Sequence, residues 1–248
     1  MNKLWKLGLI THLILIISCS NEQTKSEPEN GNIVETIKQI NTNASGQKQE
    51  YFQGVIRYSI EYNIKNPSIS EEILKKHYGS KVIKKFSKGN FRDEYYNNEG
   101  VLVRTSILNL SQNQYYMEID GIDTIYYTDI NITDFLTTIE QLADTNIQNI
   151  DCWAIKSISI DENNDRKTEP VITKYYKSKD LIIDPDWYGN YIDGGYDRIL
   201  KMAPGITIKS EYYNSNFTQI KRIISIKAKE INALEFELES NKYMKNMN

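Results

Sequence analysis

The chain has 248 residues and a formal net charge of −3, with 40% hydrophobic and 25% charged residues. A mean hydropathy of −0.56 excludes a protein with many membrane spans, and the 18 tyrosines and 40% hydrophobic residues exclude a wholly disordered chain. His12 and Cys19 lie in or at the end of the N-terminal apolar segment, so the rest of the chain has one histidine, His77, and one cysteine, Cys152. These are too few for a zinc site of Cys/His type or an intrachain disulfide, and no cofactor is indicated.

The N-terminus has the pattern of a secretion signal. Basic residues precede an apolar stretch, Leu7–Ile17, whose helix would reach only ~16 Å, about half of a hydrocarbon core. A small residue and Cys19 end this stretch and resemble the bacterial lipoprotein cleavage box, with Ile16 in place of the usual leucine. The resemblance implies that residues 1–18 are a signal peptide and that Cys19 is lipidated. An ordinary secretory signal that happens to contain a cysteine is the alternative.

The residues after Cys19 indicate where such a protein would reside. Ser20, rather than aspartate, follows the cysteine, which in Gram-negative lipoproteins resembles an outer-membrane signal. Acyl chains contribute ~0.8 kcal/mol per buried CH₂, so two or three of them hold a domain on a membrane. We therefore expect an anchored cell-envelope protein at the outer membrane. Its negative charge argues against nucleic acid as a partner.

The segment 19–50 is predicted to be a flexible tether because it is rich in polar residues. Inside it Ile33, Val34, Ile37 and Ile40 share one helical face, which indicates a short helix that docks onto the body.

From Phe52 onward the apolar residues alternate with period two, which predicts strands. Short loops join them, and Asp120-Gly121 is a strong hairpin signal, so neighbours should be antiparallel. A helix is predicted at 68–78, with Ser68 as its cap. The first group of predicted strands covers 52–64, 80–87, 91–97, 101–110, 114–119 and 122–128.

The second half adds a predicted helix at 133–143 and another at 196–202, with an irregular segment over 181–195. Strands are expected at 149–161, 168–177, 206–214, 218–229 and 234–238, before a polar tail, 241–248. In the first of these the apolar phase shifts, which suggests a bulge. The sequence thus predicts a mainly β domain over 51–240. It would be a single strongly curved or half-closed antiparallel sheet or barrel of about ten strands, with two or three short helices.

Five Tyr-Tyr pairs lie in the predicted strands, at 95–96, 115–116, 126–127, 175–176 and 212–213. Each pair should place one ring on either side of the sheet. Cross-strand packing, which stabilises sheets without a ligand, is the interpretation we favour; an aromatic-lined cavity is the other. In the second case, the residues expected to line a ligand are Tyr58, Tyr62, Tyr116, Tyr127, Tyr176 and Tyr212.

Other chemically active residues have ordinary explanations. His77 and Cys152 are single residues, expected to be structural and a buried thiol respectively. Asp161, Asn163 and Asp165 match the start of a calcium loop that lacks its glycine and glutamate. The aspartates between 184 and 197 lie near aromatic residues, as in a glycan-cleaving site, but turn formation explains them equally. They are Asp184, Asp186, Asp193 and Asp197.

Several short motifs resemble uncharacterised envelope lipoproteins of Gram-negative bacteria, similar in layout to the outer-membrane lipoprotein carrier (LolA/LolB-like) superfamily. They are Phe52-x-Gly54-x-Ile56-x-Tyr58, Asp123-Thr124-Ile125-Tyr126, Tyr175-Tyr176, Leu181-Ile182-Ile183-Asp184-Pro185 and Pro204-Gly205-Ile206, with Cys152 before a long hairpin. The Pro-Gly-Ile stretch also resembles the GLPGLI family. The carrier resemblance implies a half-closed barrel with an apolar interior, covered by helices, that holds an acyl chain.

These observations lead to one expected function and its alternatives. The expected function is non-enzymatic binding of a hydrophobic or lipidated ligand by a protein anchored in the membrane. A structural or interaction lipoprotein, with a filled core and an envelope protein as partner, is the alternative. An enzyme acting on envelope glycans is a third class.

Overall fold

The computed structural model describes residues 33–43, 51–161, 169–238 and 242–247. The predicted signal peptide and Cys19 lie outside the described residues, as does most of the calcium-like loop. Within the described residues, every helix is too short or too polar to cross a membrane.

In the part of the chain that the structure describes, twelve strands form one sheet in the order β12-β6-β5-β4-β3-β2-β1-β11-β10-β9-β8-β7. The strands are β1 (Gly54–Ile64), β2 (Lys81–Ser87), β3 (Asn90–Tyr96), β4 (Leu102–Asn109), β5 (Gln114–Ile119), β6 (Thr124–Asp129), β7 (Phe135–Ile147), β8 (Ile150–Asp161), β9 (Val171–Ile182), β10 (Gly205–Tyr213), β11 (Phe217–Ala228) and β12 (Tyr243–Asn246). All described pairings are antiparallel except that of β12 with β6. The predicted mainly β class, with one curved and incompletely closed sheet, is confirmed.

Contacts between distant strands show how strongly the sheet curls. Strands β2 and β9 lie four positions apart, which would separate them by ~19 Å in a flat sheet. Lys84 of β2 nevertheless repels Lys177 of β9 and contributes to lowering its pKa. These side chains therefore approach each other across a concave face, which we call the interior face.

Among the described residues, three α-helices pack on the sheet: α1 (Ile33–Asn43), α2 (Glu71–Tyr78) and α3 (Tyr196–Met202). The predicted helix in the polar N-terminal segment is confirmed as α1, which docks through Ile37, 2% exposed, with Ile33, Val34 and Ile40 around it. Helix α2 begins after Ser70, whose hydroxyl accepts from the Ile73 N–H, rather than after Ser68.

The prediction of a helix over 133–143 was wrong, because this region is the edge strand β7. Its register against β8 shifts between Leu142 and Thr145, so the spacing of its less exposed residues changes from two to three. A mixture of twos and threes resembles the period of a helix. Gln148 and Asn149, both at positive φ, form the two-residue hairpin that commits the segment to pairing with β8.

The bulge expected within 149–161 lies on the facing strand instead. Strand β8 pairs regularly with β9, and the irregularity belongs to β7, opposite Cys152 and Ala154. A second error concerns 234–238, where the structure has a 3₁₀ helix, Ala233–Phe236, capped by Asn232. The segment expected to be a polar tail contributes β12.

The sheet packs on both of its faces. The main core lies on the interior face around Ile56, Tyr58 and Ile60 of β1. A smaller core on the outer face joins Val55 of β1 to Phe236, so the C-terminal 3₁₀ helix covers that side.

Candidate ligand-binding site

The strand register determines which side chains occupy the interior face. Ile56 pairs with Lys84, Lys84 with Asp93, and Asp93 with Ser106, along β1 to β4. Paired residues of antiparallel strands project to the same face. Ile56 is fully buried in the main core, so the two charged residues and the serine also project into the interior.

The same reasoning places the five tyrosine pairs. In every pair the first ring is on the interior face and the second is on the outer face, which confirms that the pairs straddle the sheet. The interior members are Tyr95, Tyr115, Tyr126, Tyr175 and Tyr212.

The six tyrosines expected to line a ligand are therefore divided between the two faces. Tyr58, Tyr62 and Tyr212 are on the interior face with the main core. Tyr116 and Tyr127 pack on each other in the outer core, with ring centroids 6.4 Å apart. Tyr176 pairs with Lys209 on the outer face. Ligand contact by any of them stays a prediction.

Residues 185–202, which we call the cover segment, lie across the interior. Tyr188 donates a buried 2.9 Å hydrogen bond to the Gly89 carbonyl, between β2 and β3. The Ile192 and Asp193 N–H groups donate to the Ile130 carbonyl, after β6, at 2.9 and 3.1 Å. Arg198 donates to the Thr137 carbonyl of β7 at 3.0 Å. The segment thus bridges the two sides of the open sheet.

Tyrosine rings from the cover segment complete the interior. Tyr191 and Tyr196 contact each other, with centroids 4.7 Å apart. Burial, followed by interactions with Tyr175 and Asp93, raises the pKa of Tyr196. Burial also raises the pKa values of Tyr58 and Tyr175, so their hydroxyls are neutral at physiological pH.

Lys84 is the first of several cations in this interior. Its Nζ lies 3.0 Å from Asp93 Oδ1 and 3.5 Å from the centroid of the Phe91 ring. Desolvation lowers its pKa to about 8, although the Asp93 carboxylate opposes that shift. Its side chain still keeps 14% of its surface accessible, so solvent-sized space adjoins a strongly desolvated group.

Lys177 and Lys221 lie on the facing wall. Lys177 is 1% exposed, and its Nζ lies 3.4 Å from Thr207 Oγ1. Desolvation, then repulsion from Lys84 and Lys221, lowers its pKa to about 7. Desolvation also lowers the pKa of Lys221, whose Nζ lies 5.0 Å from the centroid of the Tyr58 ring.

Arg104 extends the cationic surface along β4. Its guanidinium stacks on Tyr95 at 3.8 Å from the ring centroid. Its Nε, and Ser106 Oγ two residues on, form no hydrogen bond of normal geometry with any described residue. The Tyr115 hydroxyl lies near Ser106 and has a raised pKa, mainly through burial.

The sequence interpretation missed these charged residues, although it contained a signal for two of them. Lys84 lies between Val82 and Phe86 in the apolar phase of β2. Asp93 lies in the same way between Phe91 and Tyr95 of β3. A charge in the apolar phase of a strand points to a polar interior.

The aspartates considered for glycan cleavage have structural partners. Asp184 caps a 3₁₀ helix by accepting from the Asp186 N–H at 3.0 Å. Asp193 accepts from Thr133, and Asp197 lies 3.8 Å from Lys201. These contacts agree with the expectation of turn formers and caps.

The remaining candidates agree with their structural explanations. His77 is exposed on α2. Cys152 is fully buried, donates to the Ile150 carbonyl, and has its pKa raised to about 12, mainly by desolvation. The described residues contain no group of three or more acidic, histidine or cysteine side chains placed to hold a metal.

Comparisons with known proteins leave the chain without an assigned family. No family model matches it, and no curated protein is similar to it. A similar solved structure is that of a Vibrio parahaemolyticus domain described as an outer membrane lipoprotein-sorting protein. The match covers 81% of this chain and 94% of that one, at 7% identity and a TM-score of 0.35. At these values, neither a shared fold nor a shared function is shown.

Proposed function

We propose that this protein is a non-enzymatic envelope lipoprotein, anchored through Cys19, whose half-barrel binds a hydrophobic or lipidated ligand beneath the cover segment. The supporting observation is the solvent exposure of the interior side chains. Lys84, Arg104, Tyr115 and Tyr175 project from the interior face of a curled sheet, and each keeps some accessible surface. This accessible surface adjoins a large apolar core, where a hydrophobic ligand would bind.

A neutral apolar fluorophore tests this proposal. N-phenylnaphthylamine should bind the full chain saturably, and dodecanol should displace it. Ser210 is a suitable position for a blocking variant because it is half-buried and pairs with Lys221 and Tyr175 on the interior face. Ser210→Trp would occupy the space, so we expect at least about ten-fold weaker binding, equivalent to ~1.4 kcal/mol.

Ser59→Trp is the matched control. Ser59 pairs with Arg222 on the outer face of the same sheet, so its replacement should leave binding unchanged. Thermal melting of both variants reports whether they fold. A folded wild-type protein that does not bind the fluorophore saturably would refute the proposal and favour an interaction lipoprotein with a filled core.

A further inference from the structure

The interior carries an excess of positive charge. Lys84, Arg104, Lys177 and Lys221 project into it, and the Asp93 carboxylate interacts with two of them, Lys84 and Lys221. A buried charge without a partner is costly because it loses its hydration. A bound anion would offset this cost.

Three of the cations surround one tyrosine. Lys177 contacts the Thr207 hydroxyl, while Tyr58 donates to the Thr207 carbonyl at 3.0 Å. Lys221 lies above the Tyr58 ring, and Lys84 pairs with Ile56, the interior residue next to Tyr58 on β1. Asp93 interacts with Lys84 and Lys221 but is not among the groups that influence Lys177. The pair Lys84–Asp93 therefore leaves Lys177 uncompensated.

Hydrogen-bonding capacity is also unused on β4, in the row that contains Lys84 and Asp93. Ser106 is fully buried, and its Oγ lacks a hydrogen bond of normal geometry to the described residues. The Arg104 Nε on the same interior row is in the same state. Asp93 Oδ1, which lies 3.0 Å from Lys84 Nζ, also lacks a hydrogen bond of normal geometry, so this row combines an acceptor with two donors. Buried polar groups are normally satisfied, and the donors of Arg104 and Ser106 are available to a ligand.

We propose that the interior binds an oxyanion, the carboxylate or phosphate group of an acidic amphiphile, among Lys84, Lys177 and Lys221, with Arg104 and Ser106 as further donors. This inference rests on the proposed function and specifies its ligand. The apolar core would hold the chain of the amphiphile. Ammonium and guanidinium groups form their strongest hydrogen bonds with such oxyanions.

The test compares three probes on the full chain at neutral pH: dodecanoate, dodecanol and inorganic phosphate. Isothermal titration should show dodecanoate binding at least about ten-fold more tightly than dodecanol, because charge-assisted hydrogen bonds add to the same chain contacts. Lys177→Met should abolish this preference, so that dodecanoate binds no more tightly than dodecanol. Lys174→Met is the matched control, since Lys174 lies on the outer face of the same strand, paired with Glu211.

Each outcome decides a different part. Equal affinity for dodecanoate and dodecanol overturns the inference and leaves the proposed function standing. Binding of phosphate without either chain supports the oxyanion site and overturns the hydrophobic ligand. Loss of preference in Lys174→Met as well as in Lys177→Met overturns the assignment to the interior.

If no probe binds, the inference is overturned, and the N-phenylnaphthylamine titration assesses the proposed function separately. Lys221→Met provides a second interior variant, with the same expected loss, if Lys177→Met does not fold.

Discussion

Lys177 is a charged side chain with only 1% of its surface exposed, in a strand that contacts the curled sheet on both sides. Its hydrogen-bond partner, the Thr207 hydroxyl, carries no charge, and its charged neighbours Lys84 and Lys221 repel it. Such a position lowers the stability of the folded protein as long as the lysine is protonated. A lysine that destabilises the folded protein has no structural benefit here, which favours a role in binding a ligand.

The low pKa values of the interior lysines predict how stability depends on pH. The pKa is about 7 for Lys177 and about 8 for Lys84, whereas a lysine in the unfolded chain has a pKa of ~10.4. Both side chains therefore bind protons less readily in the folded protein. Above pH 7 the unfolded state therefore holds more protons, and unfolding should become less favourable as the pH rises. We expect the free energy of unfolding to increase by about 2 kcal/mol between pH 7 and about 8.5, measured by urea denaturation.

The upper limit of this range comes from Cys152 and the buried tyrosines. Burial raises their pKa values in the folded protein. Above about pH 8.5 the unfolded chain therefore loses these protons more readily than the folded protein does, and stability falls as the pH rises further. Lys177→Met should be more stable than the wild type at pH 7 and show a weaker pH dependence. Lys174→Met should keep the wild-type profile. A flat or falling wild-type profile from pH 7 to 8.5 would contradict the interior placement of the lysines.

Individual residues also show how far the sequence could predict the site. That tyrosine pairs straddle the sheet follows from strand geometry alone, and the structure confirms it. Which member projects inward depends on register, because both members are equally aromatic. Tyr116 and Tyr176 are among the predicted ligand-lining residues, but the interior members of their pairs are Tyr115 and Tyr175. The direction of the Lys177 side chain could not be predicted from the sequence, because it depends on the register shifts between β9 and β10.

Among the elements, the meander from β1 to β6 was predictable because its alternation is regular and its turns are short. Strand β7 was not, since a register shift gave it a nearly helical spacing. The sequence predicts an irregular stretch over 181–195 and a helix over 196–202, and the structure has the helix as α3. The position of the cover segment over the interior depends on hydrogen bonds to distant strands. Tyr188 and Gly89, for example, are 99 residues apart.

The cover segment provides a stability prediction at this scale. Tyr188→Phe removes the hydroxyl that satisfies the buried Gly89 carbonyl, so it should lower the free energy of unfolding by about 1–3 kcal/mol. Tyr243→Phe, at a tyrosine that is 71% exposed, should have little effect. Urea denaturation measures both. Equal stability of Tyr188→Phe and the wild type would mean that this bond does not hold the cover segment in place.

At the scale of the whole molecule, the described body is a curled sheet with a bridging segment over a partly polar interior. Helix α1 belongs to this body, because Ile37 is buried in the main core. The predicted tether between the anchor and the body would therefore end before Ile33. Fold class could be predicted from periodicity and loop length, whereas the charged interior needed the register of the strands.

Native mass spectrometry of the full-length lipoprotein, extracted from membranes with its lipids, tests the central claim most directly. The polypeptide mass should correspond to a chain that begins at an acylated Cys19. A second species should carry one acidic, acyl-containing molecule, and Ser210→Trp should lose this species while Ser59→Trp keeps it. A wild-type spectrum with the ligand-free mass alone, or a ligand retained equally by Ser210→Trp, would contradict the account.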